Sequence, residues 1–200
     1  MARRYKHSLA EIKAMILQSA ETIVNEQGYS ALNARKIALD IDYTVGSIYM
    51  VFDSMADIAL HINAKTLSQL ASYMAKSQDK TLSIDILTQS YFNYATTHFN
   101  RWRMLFEYRL AENLSLPEWY RLQIEQNFAA IEILFLKTLP EDTELDCKLV
   151  AKMLWASLHG IFALSASNIL RTINVNEMEA IRKMWLDNFA SSWLSTAKKN

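Results

Sequence analysis

Glycine and proline are nearly absent from this chain. It holds three Gly and two Pro in 200 residues, where average usage would give about 14 and 10. Sheets and barrels need turn residues at roughly every ten positions, and βαβ units need Gly at their tight turns. The chain therefore reads as all-α. Its 51% hydrophobic and 21% charged residues are those of a globular protein, with length enough for one large domain or two small ones.

Other compositional facts exclude whole classes. Lys plus Arg is 21 and Asp plus Glu is 21, so the surface is not uniformly basic, though a local basic patch remains open. The single cysteine, Cys147, excludes a disulfide framework and a CxxC site. His7, His61, His98 and His159 show no metal-ligand spacing with one another or with Cys147, so no metal or cofactor is expected. Phosphate-cradling glycine loops are absent and no nucleophile has a recognisable partner, which argues against an enzyme. No apolar run reaches membrane-spanning length. The basic start Met1-Ala2-Arg3-Arg4-Tyr5-Lys6-His7 lacks a following apolar stretch, so a cytoplasmic protein without membrane contact is expected.

From Leu9 the apolar residues Ile12, Ile16, Ala20, Ile23 and Val24 recur at helical spacing. Gly28 sits where a helix terminus wants a positive φ, and Tyr29 packs back on the last turn. Asn33 reads as the N-cap of a short helix over 34–41 that buries Ile37 and Ala38. Thr44 caps a second short helix carrying the stripe Val45, Ile48, Tyr49 and Phe52. Two such helices across a tight turn match a helix-turn-helix. Ser54, with Asp57 three residues on, opens a longer helix. Further helices are predicted at about 82–98, 101–113, 117–138, 145–172 and 176–197. The organisation is an N-terminal three-helix module over 1–53 and a larger helical domain over 54–200.

The series Gly28-Tyr29, Ile37-Ala38, Thr44-Val45-Gly46-Ser47-Ile48-Tyr49 and Phe52 resembles the N-terminal DNA-binding domain of the TetR/AcrR family of bacterial transcriptional regulators, over residues from about 9 to 60. A helix-turn-helix lays the start of its second helix against base edges in the major groove. The expected DNA-binding residues there are Thr44, Val45, Gly46, Ser47, Tyr49 and Met50. Gly46 costs up to about 1 kcal/mol in a helix relative to Ala, which points to a close approach by phosphate backbone or a packed helix. Asn33, Arg35 and Lys36 at a helix start suit phosphate. The arm Arg3, Arg4, Lys6 suits phosphate or minor-groove contact. The chain departs from the family's pattern with Asp42-Tyr43 in place of Gly-Val at the turn. It also has Val51 before the Phe and Met55 where Lys often opens the fourth helix. Either phosphate binding is weaker, the remaining cations carry more of it, or the operator is unusual.

The second domain is dense in aromatic residues, most of them expected in the core. The resemblance implies a small-molecule pocket here, with Tyr94, Trp102, Phe106, Trp155 and His159 as candidate ligand contacts. A structural role is the commoner one for such a His. Trp155 to Gly160 is also similar to the Trp…His-Gly signature of one C-terminal subclass, and the segment from Phe99 to Glu107 to one often found upstream of it. Arg101, Arg103, Glu107 and Arg109 either place charge in a pocket or, as the default reading, form surface pairs at i, i+4. The stripe Met178, Ile181, Trp185, Phe189, Trp193 and the small residues Ala156, Gly160, Ala163 and Ser167 suit helix packing against a two-fold mate. The resemblance thus implies a homodimeric regulator, a repressor of a palindromic double-stranded operator released by a small-molecule effector. The alternative is the same fold acting as a ligand-independent DNA-binding or protein-interaction module.

Overall fold

A computed structural model describes residues 7–77, 83–111, 115–137, 147–166 and 174–197, with the side chains of 147, 175, 176 and 189–197 excepted. The described residues are helical throughout. In order they are α1 (Leu9–Gln27), a one-turn 3-10 helix (Tyr29–Ala31), α2 (Ala34–Asp40), α3 (Val45–Tyr49), α4 (Met55–Ser77), α5 (Ile84–Thr97), α6 (Phe99–Glu107), α7 (Glu118–Leu136), α8 (Cys147–Ser165) and α9 (Val175–Ala197). The fold class read from the scarcity of Gly and Pro holds.

Local chemistry sets the ends. Ser8 and Glu11 form a capping box at the start of α1: Ser8 Oγ accepts from the Glu11 N–H at 3.3 Å, and Glu11 Oε2 accepts from the Ser8 N–H at 2.7 Å. Gly28 ends α1 at φ +79°, a conformation that a side chain would strain. Ser54 Oγ accepts from the Asp57 N–H at 3.2 Å, as its spacing predicts. α6 is shorter than its expected span of 101–113, because Tyr108 turns extended.

The chain divides into two compact units. The first joins 1–69 to 98–125, and the second joins 70–97 to 126–200. In the first, Ile12, Ile16, Ala20 and Val24 of α1 pack with Ile37 and Ala38 of α2, Ile48 and Phe52, Ile58 and Ile62 of α4, and Met104 of α6. Met104 is fully buried in that core. Further bonds hold α6 in the unit. Asn100 Nδ2 donates to the Asn25 carbonyl at 2.8 Å, and the Tyr108 ring meets Tyr29 edge-on at 6.2 Å. Arg101 is 4% exposed. Its Nε donates to Thr66 Oγ1 at 3.0 Å, its Nη2 to Gln69 Oε1 at 2.6 Å, and its Nη1 lies 3.9 Å from the buried Glu21 carboxylate. Lys65 Nζ sits 2.6 Å from the other Glu21 oxygen. Arg101 is therefore an interior cation, not the surface residue expected, because partners far along the chain compensate its burial. Arg103 does form the expected i, i+4 pair with Glu107, at 2.6 Å.

In the second unit α8 packs against α5 and α9. Leu87, Tyr91, Phe92, Phe135, Leu154, Leu158 and Phe162 are buried. Arg182 of α9 is 1% exposed and reaches α5, its Nη1 donating to Asp85 Oδ1 and to Thr88 Oγ1, both at 2.6 Å. Glu179 holds its other edge, accepting from Nε at 2.9 Å and Nη2 at 2.8 Å.

Burial lowers the pKa of His61, His98 and His159 below the ordinary value of 6.5. Lys13 adds to the effect at His61 against Asp57, and Arg101 adds to it at His98. Below about pH 6.5 the unfolded chain then binds more protons than the folded one, so stability rises with pH through that range. The urea midpoint is expected to fall between about pH 7.5 and pH 5.5, and His61→Gln with His159→Gln to flatten that slope. An unchanged slope in the double variant would assign the loss to other groups.

Candidate nucleic-acid interface

Two short helices and the turn between them are fixed by caps. Asn33 Oδ1 accepts from the Lys36 N–H at 3.0 Å and its Nδ2 donates to the Ala31 carbonyl at 3.1 Å. Both polar groups of Asn33 thus position α2. α2 stops at Ile41-Asp42, where Asp42 adopts φ +57°. Asp tolerates this left-handed conformation better than most residues, so the turn survives without glycine. The Tyr43 N–H closes it on the Ala38 carbonyl at 2.9 Å. Thr44 Oγ1 then accepts from the Ser47 N–H at 3.2 Å and shares a hydrogen bond of 2.9 Å with Ser47 Oγ.

α3 is five residues long, and that length changes its expected inner face. Ile48, and Phe52 just beyond the helix, are buried, whereas Val45 is 37% and Tyr49 48% exposed. Spacing alone groups all four in one stripe, and the structure splits it, leaving Val45 and Tyr49 outward. A helix of so few residues inserts one turn into the core, and its remaining residues stay in solvent. Ser47 is buried by its cap bond, and Met50 is 57% exposed. The outward surface of α3 is therefore Thr44, Val45, Gly46, Tyr49 and Met50. A Cβ built on Gly46 would meet only Thr44 Oγ1, at an ordinary 3.7 Å. Among the described residues no other helix comes within 4 Å of that position.

Charge flanks this surface. Arg35 is exposed and has no ion-pair partner among the described residues, and Lys36 Nζ donates to Gln27 Oε1 at 2.7 Å. Asp40 and Asp42 are exposed nearby on the chain. Arg3, Arg4 and Lys6 lie outside the described residues. Their attachment point is defined, however: His7 Nδ1 is 2.8 Å from the Tyr43 hydroxyl, and the two rings are 6.1 Å apart. This bond fixes His7, the residue that follows the basic arm in sequence, to Tyr43, one residue before the Thr44 cap. Neither His7 nor Tyr43 was singled out from sequence, because the bond joins positions 36 residues apart. Leu39, 84% exposed at the end of α2, was also missed.

The candidate ligand residues divide between the units. Trp102 is buried, stacked with Phe99 at 6.3 Å and tilted on Phe106 at 5.3 Å, all within the first unit. Tyr94, Trp155 and His159 belong to the second. Trp155 lines a cavity of about 290 Å³ between α7 and α8, with Phe128, Ile131, Phe135 and Ala151, and with Glu132 and Lys152 as its charged members. Tyr91, not chosen as a site residue, links two that were. Its ring meets Trp155 edge-on at 5.1 Å and its hydroxyl lies 3.4 Å from His159 Nδ1. Tyr94 is buried beside Tyr73. No group of three His, Cys, Asp or Glu among the described residues is placed to hold a metal. No helix among them is long and apolar enough to cross a membrane.

Comparison with solved structures shows the same fold across nearly the whole chain. A protein of unknown function from Rhodococcus sp. RHA1 superposes with a TM-score of 0.70 at 14% identity, covering 93% of this chain and 98% of its own. A transcriptional regulator from Aquifex aeolicus VF5 gives 0.58 at 16%, covering 89% and 99%. A TetR transcriptional regulator from Legionella pneumophila gives 0.51 at 22%, covering 82% and 89%. A search of curated proteins finds no match in sequence. The sequence profile described as bacterial regulatory proteins, tetR family, matches residues 16–62, a span running from within α1 through the caps and turn just described into α4. Over this N-terminal stretch the chain is similar to the tetR family of bacterial regulatory proteins.

Proposed function

We propose that the protein is a homodimeric, DNA-binding transcriptional repressor of the cytoplasm, released from a palindromic operator by a small molecule and with no catalytic role. The observation that carries the DNA contact is the outward surface of α3. It is uncharged, open at Gly46, and adjoined along the chain by Arg35, which has no ion-pair partner among the described residues, and by Tyr43, on which His7 is fixed. Phosphate contacts supply affinity and register, and the helix inserted in the groove supplies selection. Asn33 acts by fixing α2, and Thr44 and Ser47 by fixing the start of α3.

Dimerisation is supported by α8 and α9. Leu149, Met153 and Leu164 of α8 and Met184 of α9 are 64%, 43%, 39% and 65% exposed. Leu149, Met153, Ala156, Gly160 and Leu164 share one helical face, and a Cβ at Gly160 would meet nothing within 4 Å. A second copy laying its own α8 and α9 there completes a four-helix bundle. Phe189 and Trp193, the rest of the expected stripe, have side chains outside the described residues. The cavity beside Trp155 suits an apolar effector, and Tyr91 joins its wall to His159. Release requires that the effector favour the state that does not bind DNA.

Selection of duplexes from a randomised pool by the purified full chain is expected to enrich a palindrome with half-sites about 34–36 Å apart, or a multiple of that. On that site, Arg35→Ala is expected to reduce the log–log salt slope by about 2, one phosphate from each subunit. A pool with no enriched duplex would remove the DNA-binding role, and an unchanged slope would remove Arg35 from it.

A further inference from the structure

Three of the four bases have side chains that select them by hydrogen bonds in the major groove: Arg or Lys for guanine, Asn or Gln for adenine, Asp or Glu for cytosine. Between Thr44 and Met50 the chain has none of these six. Its hydroxyls offer little in exchange. Those of Thr44 and Ser47 are bonded to each other at 2.9 Å, Thr44 Oγ1 also accepts the Ser47 N–H, and Ser47 is buried. The cap leaves the Thr44 methyl as the unengaged part of that side chain. Tyr49 keeps a phenol at 48% exposure, suited to a phosphate, which carries no sequence information. What remains toward a base edge is apolar: the Thr44 methyl, Val45 and Met50, with no Cβ at Gly46 to hold them away.

One major-groove feature matches such a surface, the C5-methyl group of thymine. Resting on α3 as the helix that enters the groove, we propose that this protein selects its operator by thymine methyl groups. Thr44 and Val45 are the specificity-determining residues, so the half-site positions under α3 are A·T pairs. A DNA duplex is the occupant rather than an apolar protein face because basic residues adjoin the patch along the chain, Arg35 and Lys36 on α2 and the arm before His7. Arg35 has no ion-pair partner among the described residues, and His7, which follows Arg3, Arg4 and Lys6 in sequence, has its Nδ1 2.8 Å from the Tyr43 hydroxyl. An apolar tip beside basic flanking residues divides the work, with affinity from the flanking cations and choice of base from the tip.

The best site selected by the full chain is resynthesised with deoxyuridine for thymine at the enriched half-site positions. Each contacted thymine is expected to lose about fourfold in affinity, the worth of one buried methyl. A C·G pair placed there is expected to bind better when its cytosine carries a 5-methyl group, a recovery that a reader of DNA shape alone would not show. Val45→Ala is expected to shrink the difference between thymine and uracil duplexes, as is Thr44→Ser, which keeps the cap hydroxyl and removes only the methyl. Equal affinity of the unaltered protein for both duplexes, or invariant G·C pairs under α3, overturns the proposal while the DNA-binding reading stands. A pool that enriches nothing overturns both.

Discussion

Replacing Asp85 and Glu179 together by Ala destabilises the C-terminal unit by about 3–5 kcal/mol, more than Arg182→Met does. The order follows from which partner is buried. Arg182 is 1% exposed, whereas the side chains of Asp85 and Glu179 are 55% and 39% exposed. Removing the arginine returns two carboxylates to water, and methionine refills much of the space, at about 1–3 kcal/mol. Removing the carboxylates leaves a guanidinium that cannot lose its proton in the interior, with Thr88 and the Asp85 carbonyl as its acceptors. Urea unfolding of the three proteins checks the order, and a costlier Arg182→Met would refute it. Acid acts on the same group. The Arg182 hydrogen bond holds the Glu179 carboxyl below its ordinary range. Its contribution is therefore complete above that range and is lost as pH falls through the lowered folded value.

Gly46→Ala moves stability and operator binding in opposite directions. The protein has room for the methyl, since its nearest neighbour is Thr44 Oγ1 at 3.7 Å. Gly46 is the second residue of α3, where its cost relative to Ala falls below the roughly 1 kcal/mol of a helix interior, so the melting temperature rises modestly. A methyl in a close helix–groove contact overpacks by about 1–3 kcal/mol, a loss of roughly 5- to 150-fold in operator affinity. Thermal melts and titrations of the selected duplex measure the two together. A variant both more stable and as tightly bound would place Gly46 away from the groove.

Most of what is local was legible in the sequence. Asn33, Thr44 and Ser54 cap helices, Gly28 takes a positive φ, and Asp42 carries the left-handed turn. Each depends on residues within four positions, and sequence order supplies those. The Ser8–Glu11 capping box had an equally local signal and was passed over. The misread features are those whose partners lie far along the chain. Arg101 looks like a surface cation until Thr66, Gln69 and Glu21 are brought to it, and the burial of Arg182 against Asp85 and Thr88 carries no local signal at all. Val45 and Tyr49 matched an inward stripe, but the stripe presumes a helix long enough to bury two turns. The exposed side of α3 could be assigned only once its length was known.

The core around Ile12, Ile48 and Phe52 is closed by Met104, from a helix more than fifty residues further along the chain. This has a consequence for swapping operator preference between regulators. A chimera spliced just after Phe52, or anywhere before α6, inherits a hole where the Met104 side chain sat. It also strands the Glu21 carboxylate without Arg101 and the Asn25 carbonyl without Asn100. The N-terminal unit is two stretches of chain, and a transplant that keeps its core intact carries both.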